Sequence, residues 1–406
     1  MKRITLRTTI GAACALLCLP TVAWAGNTTT LPSGAFILDE SFIEADTSVQ
    51  WSSNRKPLTL LQGIDRYEPG GGLQGTITAA PFVRYRFIAS QAFVGLTDKL
   101  TAAVGVPLVT RTTIAPNFGW TPGDYQSTLG RKYSEDDFWQ WAKSMGQPKP
   151  GAFDGNHYTL ADIVLGLRYR LPDFAFLEAM GVQAAVAGQV AIPTGVNPDP
   201  ENLVAAGTTV WELNNYGDAE LHLALDRPIK VDGVQRFNFG IDAWYSWFRT
   251  REYVTPKGTT SPLLLTYAPY VGETYKVDPG DFLAIMAMLE VAPLLGPTWA
   301  TFASGHSLEK ANTFPPLLNL TLGHSYTTVG QSRYYSQSAI WNYDREKVWR
   351  PGDKNTVRLG ADISLLRMGL PLQFYAQYRN QEWVPGRNTR ASNIFQCGVR
   401  IIAKFW

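Results

Sequence analysis

The sequence predicts an all-β protein, a transmembrane antiparallel up-and-down β-barrel of about twelve strands. Three observations carry this prediction. They are an alternating strand at the C-terminus, an export signal at the N-terminus, and a regular succession of short and long connections between strand-like runs. A barrel that reaches an outer membrane needs the first two features, and the third is typical of its hairpins.

The C-terminal strand alternates apolar and polar side chains to the end of the chain. Its apolar row is Phe395, Cys397, Val399, Ile401, Ala403 and Phe405, and its alternate row holds Gln396, Gly398, Arg400 and Lys404. Successive side chains of a strand point to opposite faces, so one row would meet lipid and the other water. The edge of a soluble sandwich alternates in the same way, and the rest of the chain must decide between the two.

The N-terminus has the composition of a cleavable secretion signal. Three basic residues precede an apolar core at 10–22, and an Ala-Trp-Ala cleavage site ends at Ala25. An anchoring helix, the alternative, would need about 20 apolar residues. We therefore expect residues 1–25 to be removed on export and the mature protein to reach the outer membrane of a Gram-negative cell.

Composition agrees with an exported barrel. Two of the three cysteines lie in the predicted signal, so the mature chain keeps only Cys397 and has neither an internal disulfide nor a cysteine-based metal site. Removing the three basic signal residues changes the net charge from +2 to −1. This balance argues against nucleic acid as a partner.

Period-two alternation recurs in many runs of the length that suits tilted membrane strands. The runs lie at 82–96, 103–108, 162–170, 180–192, 218–225, 237–247, 357–365 and 372–379. Tight turns at 97–99, 171–173 and 368–370 separate hairpins, and long polar stretches follow at 111–156, 193–215, 250–280 and 328–355. Outer-membrane barrels have such short periplasmic turns and long outer loops.

Parity places one more strand before residue 82. If both chain ends lie on the periplasmic side, a strand must run outward within 31–64, and 35–43 and 58–64 are its candidates. We accordingly divide the chain into the signal at 1–25, an N-terminal lead at 26–72 that supplies a first strand or a plug, and the barrel at 73–406. A second strand pair near 294–316 would raise the number of strands to fourteen.

Several hairpin motifs resemble a known family. These are G-L-T-D-K-L at 95–100 with G-V-P at 105–107, D-I-V-L-G-L-R-Y-R-L at 162–171, I-P-T-G at 192–195, and Gly217-Asp218. In this order they resemble the outer-membrane proteins associated with phenol meta-pathway degradation, relatives of the long-chain fatty-acid transporter barrels. The resemblance implies uptake of small hydrophobic or aromatic compounds. The C-terminus departs from the usual barrel ending, because Trp406 falls outside the apolar row.

The segment 134–145 is the one convincing helix. Ser134 and Asp137 make a capping-box-like start, and Phe138, Trp141 and Met145 share an apolar face. Inside the longest outer loop, this face either contacts a ligand, as a lid or catching site over the barrel mouth, or packs the loop against its own rim.

The polar rows of the predicted strands are rich in charge. Candidate lumen residues are Arg168, Arg170, Arg358, Arg379 and Arg400 among the cations, and Asp162, Asp218, Glu220, His222, Asp242 and Asp362 among the other titratable groups. Such charges usually pair and brace a barrel wall. The functional alternative is an arginine-lined path that holds a carboxylate or phenolate, since the guanidinium fork binds carboxylates bidentately.

No cofactor and no catalytic site is expected. The recurring Gly-His-Ser at 305–307 and 323–325 suggests an outer-membrane lipid hydrolase as a third hypothesis. Neighbouring residues of a strand point to opposite faces, which argues against each His-Ser pair acting together. We expect a channel or transporter for small hydrophobic or aromatic molecules, or alternatively a non-transporting structural or surface-interaction barrel. The expected partners are outer-membrane lipid, the barrel-assembly machinery and the small ligand.

Overall fold

A computed structural model describes residues 28–404, apart from 59–60, 69–70, 80–81, 116, 126–129, 145–148, 150–151, 196–218, 232–233, 255–272, 294–316, 332 and 337–350. The predicted signal and the last two residues therefore lie outside the described part of the chain. Among the described residues, no helix combines the length and the apolar character needed to cross a bilayer.

The fold is a closed antiparallel barrel of twelve strands. Each strand is hydrogen-bonded to the barrel strands before and after it in the sequence, and the first strand pairs with the last. The strands are β1 (Ala35–Trp51), β2 (Phe82–Thr97), β3 (Leu100–Ala115), β4 (Phe153–Leu160 and Ile163–Arg170), β5 (Gln183–Ile192), β6 (Ala219–Val231), β7 (Val234–Trp247), β8 (Phe282–Val291), β9 (Leu318–Val329), β10 (Gly352–Ser364), β11 (Leu372–Asn380) and β12 (Thr389–Lys404). The predicted fold class and strand number are confirmed.

Strand β1 closes the barrel and supplies the strand that parity required. It pairs along its length with β12, where Ala35 lies opposite Lys404, and on its other edge with β2. Closure removes the unpaired sheet edges that a membrane does not tolerate. Strand β8 pairs directly with β9, so no further strand pair enters the wall between them, and residues 294–316 lie outside the described part.

In strands such as β8 and β12, alternation separates an outward apolar row from an inward row. In β8, Leu283 and Ile285 are exposed, whereas Met286 and Met288 on the other face are buried. The exposed row of β12 includes Phe395 and Ile401, opposite the buried Arg400. Large apolar side chains so exposed are stabilised when hydrocarbon rather than water surrounds the wall.

The outward face carries a charged patch on β1 and β2. Glu44 accepts a hydrogen bond from Arg86 Nε at 2.6 Å, and Arg84 Nε lies 3.5 Å from the same carboxylate. Glu44 is in register with Phe395 of the aromatic row. The patch therefore lies level with an aromatic side chain of the kind that marks the edge of a membrane belt.

The two ends of the barrel differ. At the turn end, β2 and β3 are joined through Asp98 and Lys99, and a 3₁₀ turn, Leu366–Met368, ends at Gly369, whose φ of 78° suits glycine. Between β4 and β5 the connection is longer than the predicted turn at 171–173, because helix α2 (Ala175–Ala179) follows it and β5 begins only at Gln183. The opposite, loop end carries the long connections that follow β1, β3, β5, β7 and β9, whereas the long connection between β8 and β9 belongs to the turn end.

Two small antiparallel sheets lie in the connections of the loop end. One consists of Leu61–Tyr67, Leu73–Ala79 and Phe118–Pro122, and the other of Arg251–Val254, Thr274–Asp278 and Arg333–Ser336. The first sheet brings together the loops that follow β1 and β3. Helix α1 (Glu135–Ser144) belongs to the second of these loops.

Candidate functional site

The inward rows of the barrel form a lumen whose charges are sorted by wall. Four carboxylates lie on β6–β8, whereas β10–β12 hold mainly arginine and lysine side chains, with Asp362 of β10 among them. The acidic wall contains Glu220, Asp226, Asp242 and Glu290, and the basic wall contains Lys354, Arg358, Arg379, Arg390 and Arg400. A ligand in the lumen would therefore meet groups of opposite charge on different sides.

Arg400 is the most completely buried charge of the basic wall, with 1% of its side chain exposed. Its Nε donates to Asp39 on β1 at 2.7 Å, and one terminal nitrogen lies 3.5 Å from an oxygen of Asp362 on β10. Its guanidinium also stacks 4.0 Å from the ring centre of Tyr375, whose hydroxyl donates to Asp39 at 2.8 Å. Gly398 leaves room for that ring, since a Cβ there would come within 2.8 Å of it. These contacts join β10, β11, β12 and β1.

Arg358 and Arg379 lie further along the same wall and are half-buried. They face each other in register across β10 and β11. Arg379 donates to the amide oxygen of Gln396 at 2.9 Å, and Gln377 donates to the same oxygen. The side-chain nitrogen of Gln396 donates a hydrogen bond to the Tyr375 hydroxyl at 3.2 Å.

The acidic wall is organised around His222. Its two ring nitrogens lie 3.4 Å from Asp242 and 3.3 Å from Glu220. Glu220 also accepts hydrogen bonds from Gln189 on β5 and from Ser246 on β7. The three titratable groups thus form one connected network over β6 and β7.

Large apolar side chains interrupt this polar wall. Trp244 points inward from β7 and stacks on His222 at a centroid separation of 5.7 Å. On β8, Ala284 is in register with Trp244, and the inward residues Phe282, Met286 and Met288 of the same strand are all less than 9% exposed. The lumen therefore presents apolar surface next to fixed charge, as ligand sites commonly do.

The residues before β1 cross the turn end of the lumen. Leu31 is buried against Ile37 and Phe93, and its backbone N–H donates to Thr101 of β3 at 2.8 Å. Three residues earlier, the N–H of Thr28 donates to Asp226 on β6. Residues 28–31 therefore connect β6 and β3 across the turn end of the lumen.

Helix α1 packs on the small sheet at the loop end and forms with it a cap. Ser134 and Asp137 make the capping box, with the Ser134 N–H donating to Asp137 at 2.7 Å and the Asp137 N–H donating to the Ser134 hydroxyl at 3.3 Å. Phe138 is 7% exposed and contacts Ile77 of the sheet. Trp141 remains 42% exposed, with the Arg66 guanidinium 4.2 Å from its ring centre.

The sequence-predicted site residues divide between lumen, turn end and cap. Arg358, Arg379, Arg400, Glu220 and His222 are brought into the two charged walls, and Arg168 points into the lumen from β4, near Asp226 and Asp242. Arg170 lies at the turn end, 3.9 Å from Asp173. Asp218 and Met145 lie outside the described residues.

Several lumen residues were missed in the sequence. Asp226 continues the row of Glu220 and His222 at the same spacing, and this signal could have identified it. Glu290 follows a run in which the residues of both strand faces are apolar, so the sequence could not show which face of the strand points inward there. Asn238, whose side-chain nitrogen lies 3.4 Å from Asp226 and 3.2 Å from Glu290, connects the two carboxylates.

The Gly-His-Ser tripeptide at 323–325 lies on β9. His324 points to the exposed face and Ser325 to the buried face, which separates the two side chains as the strand geometry predicts. The other copy, at 305–307, lies outside the described residues.

No protein-family model matches the sequence, and a comparison with curated proteins finds no match. The structure is similar to an outer-membrane channel from Pseudomonas putida F1, with a TM-score of 0.52, 10% identity, and 93% of this chain and 98% of the other covered. The toluene transporters TodX of Pseudomonas putida and TbuX of Ralstonia pickettii give TM-scores of 0.35 and 0.34, at 10% and 9% identity, with 95% of this chain and 93% of each transporter covered. The first similarity shows a shared outer-membrane barrel fold.

Proposed function

We propose that this barrel is an outer-membrane channel for small hydrophobic or aromatic compounds. The observation that carries the proposal is the inward apolar stretch of Trp244, Phe282, Met286 and Met288. A wall that served only to brace a hydrophilic pore would have no need of four large apolar side chains on its inner face. Aromatic and thioether groups provide adaptable contacts for small apolar molecules.

The fold supports transport over the alternative of a non-transporting structural or surface-interaction barrel. The similar structure from Pseudomonas putida F1 is an outer-membrane channel, and the lumen of this chain presents apolar side chains on β7 and β8 and basic side chains on β10–β12. We further propose the membrane context that the sequence predicts: export through a cleaved signal, insertion by the barrel-assembly machinery, and outer-membrane lipid around the wall. The phenol meta-pathway family remains a proposal on the motifs alone.

Whole-cell uptake of a neutral aromatic probe, benzyl alcohol, tests this function. A strain lacking the protein should take up the probe more slowly than the same strain complemented with the wild-type chain. Complementation with Met286→Gln should restore less uptake. Losing half of the ~1.5–3 kcal/mol of a buried methionine contact weakens binding roughly three- to tenfold.

The outward neighbour provides the matched control. Ile285→Val changes the lipid-facing row of the same strand and should restore full uptake. Equal uptake by the deletion strain and the complemented strains would refute the channel function.

A further inference from the structure

The chain before β1 enters the lumen from the turn end. The N–H of Leu31 donates to Thr101 at the start of β3, and three residues earlier the N–H of Thr28 donates to Asp226. Asp226 lies inside β6, several residues away from Val231, at which this strand reaches the turn end. Thr28 is 1% exposed. Followed toward the N-terminus, the chain therefore runs from the rim of the barrel to its acidic wall.

The place that Thr28 reaches is rich in hydrogen-bond acceptors. Asn238 Nδ2 lies 3.4 Å from an oxygen of Asp226 and 3.2 Å from an oxygen of Glu290, and all three residues are at most 3% exposed. The other polar atom of this amide, Asn238 Oδ1, is buried and accepts no hydrogen bond from the described residues. A buried acceptor without a donor is costly. A cationic donor would satisfy it and would suit the two carboxylates beside it.

Two arginines face this cluster from other strands. Arg168 on β4 lies near Asp226, and Arg358 on β10 lies near Glu290. Each of these arginines also lies near a second carboxylate of the lumen. Neither donates a hydrogen bond to Asn238 Oδ1. The arginines therefore moderate the negative charge of the cluster but leave its buried amide oxygen without a donor.

The first residue of the predicted mature chain can supply this donor. Cleavage after Ala25 would convert the backbone nitrogen of Gly26 from an amide into an ammonium group, which is charged at neutral pH. Two residues of chain span at most about 7 Å. The Gly26 nitrogen therefore lies within that distance of the Thr28 nitrogen, whose hydrogen bond is to Asp226. Glycine has no side chain that would obstruct its entry.

We propose that the ammonium group of the mature N-terminus occupies this cluster and binds Asn238 Oδ1 and the carboxylates of Asp226 and Glu290. The inference goes beyond transport: it rests on the proposed cleavage of the signal and is independent of the transported compound. Before cleavage, the Gly26 nitrogen is an uncharged amide that continues into the signal. The site is therefore completed only when export has removed the signal, and the start of the mature chain is then fastened to the acidic wall.

Acetylation of the α-amine tests this site in the full mature protein, purified from outer membranes in detergent. The intact mass first identifies the terminus, and a first residue other than Gly26 refutes the proposal. An N-hydroxysuccinimide ester of acetic acid reacts with the uncharged amine, whereas the carboxylates favour the charged form. At pH 7 we therefore expect the α-amine to react about tenfold or more slowly in the folded protein than in urea. Lys99, which is exposed at the turn end, is the internal control and should react similarly in both states.

Isosteric variants show whether the carboxylates cause this protection. Asp226→Asn/Glu290→Gln removes both charges, so its folded α-amine should react about tenfold faster than that of the wild type. The two single variants should give intermediate rates, and they take the place of the double variant if it does not fold. Asp173→Asn, which removes an exposed carboxylate at the turn end, is the matched control and should leave the rate unchanged.

The outcomes for this site and for the channel differ. Equal rates for the folded and the unfolded wild type would overturn the proposal, because the cluster would then take its cation from solution. A slow rate that the variants do not change would also overturn it, since the amine would be protected for a reason unrelated to the carboxylates. In both cases the channel function stands. If the α-amine is protected as expected but cells show no uptake, the channel function fails and the N-terminal site stands.

Discussion

Arg400 shows how a single residue braces the barrel wall at the point where β1 closes it. Its guanidinium contacts Asp39 on β1 and Asp362 on β10, and it lies on the ring of Tyr375 from β11. All of these groups are buried, so each charge depends on its partners for the hydrogen bonds that water would otherwise supply. The arginine therefore links four consecutive strands of the closed ring.

Replacing Arg400 should destabilise the barrel strongly. In Arg400→Gln two buried carboxylates lose their cation, and breaking a buried ion pair from one side costs about 3–5 kcal/mol. Urea unfolding of the lipid-reconstituted protein measures the change. The control is Arg227→Gln, which removes an exposed arginine from the outer face of β6. Identical unfolding midpoints for the two variants would contradict the bracing role.

At the scale of elements, the cap behaves as a small folded unit of its own. Helix α1 buries Phe138 and Ala142 against Ile77, and the Trp120 indole N–H donates to the Tyr133 carbonyl at 2.8 Å. The helix could be predicted to within one residue at each end because its signals are local: a capping box, acids in the first turn and one apolar face. The sheet that it packs on could not, because its strands come from two loops separated by two barrel strands.

The capping box makes the cap sensitive to acid. The Arg131 guanidinium, together with the Ser134 N–H and hydroxyl, holds the pKa of Asp137 below its ordinary value of 3.8. A carboxyl whose pKa is lower in the folded state stabilises that state at pH values above the unfolded pKa, and this stabilisation is lost as the pH falls. We expect the cap to loosen below about pH 4. Tryptophan fluorescence should then change, while the β-sheet circular dichroism of the barrel stays the same.

Asp137→Asn provides the matched variant for this titration. It keeps the shape of the side chain but removes the charge, so its tryptophan fluorescence at neutral pH should already resemble that of the wild type in acid. The titration runs from pH 7 down to the acid range in which the Asp137 carboxyl becomes protonated. If the tryptophan fluorescence of the wild type stays constant over this range, the role of Asp137 is contradicted.

Strand β1 illustrates why one wall element could only be placed approximately. Its outward row contains Glu40 and Glu44, and its inward row contains Ile37 and Ile43. Both rows therefore mix apolar and charged residues, and period two disappears. The inward isoleucines are explained by packing inside the barrel, where Ile43 contacts Phe87, and such packing depends on closure rather than on local sequence.

For the whole molecule, the succession of short and long connections and the apolar-polar alternation within strands predicted the closed barrel. Which side chains line the lumen could be determined only from the register of the paired strands. Met286 and Met288 lie in a run that is apolar at every position from 282 to 289, so the sequence could not tell which face they occupy. The sorting of acidic and basic walls likewise arises only when β6–β8 and β10–β12 take their places in the ring.

The account depends on hydrocarbon surrounding the outer wall, and Cys397 tests this most directly. It is the single cysteine of the predicted mature chain and lies in the outward row of β12 with Phe395 and Ile401. A fluorophore attached there in proteoliposomes should be quenched strongly by lipids that carry a nitroxide on the acyl chain, and hardly at all by aqueous iodide. Efficient quenching by iodide with none by the lipid quencher, in protein of native circular dichroism, would contradict the membrane barrel.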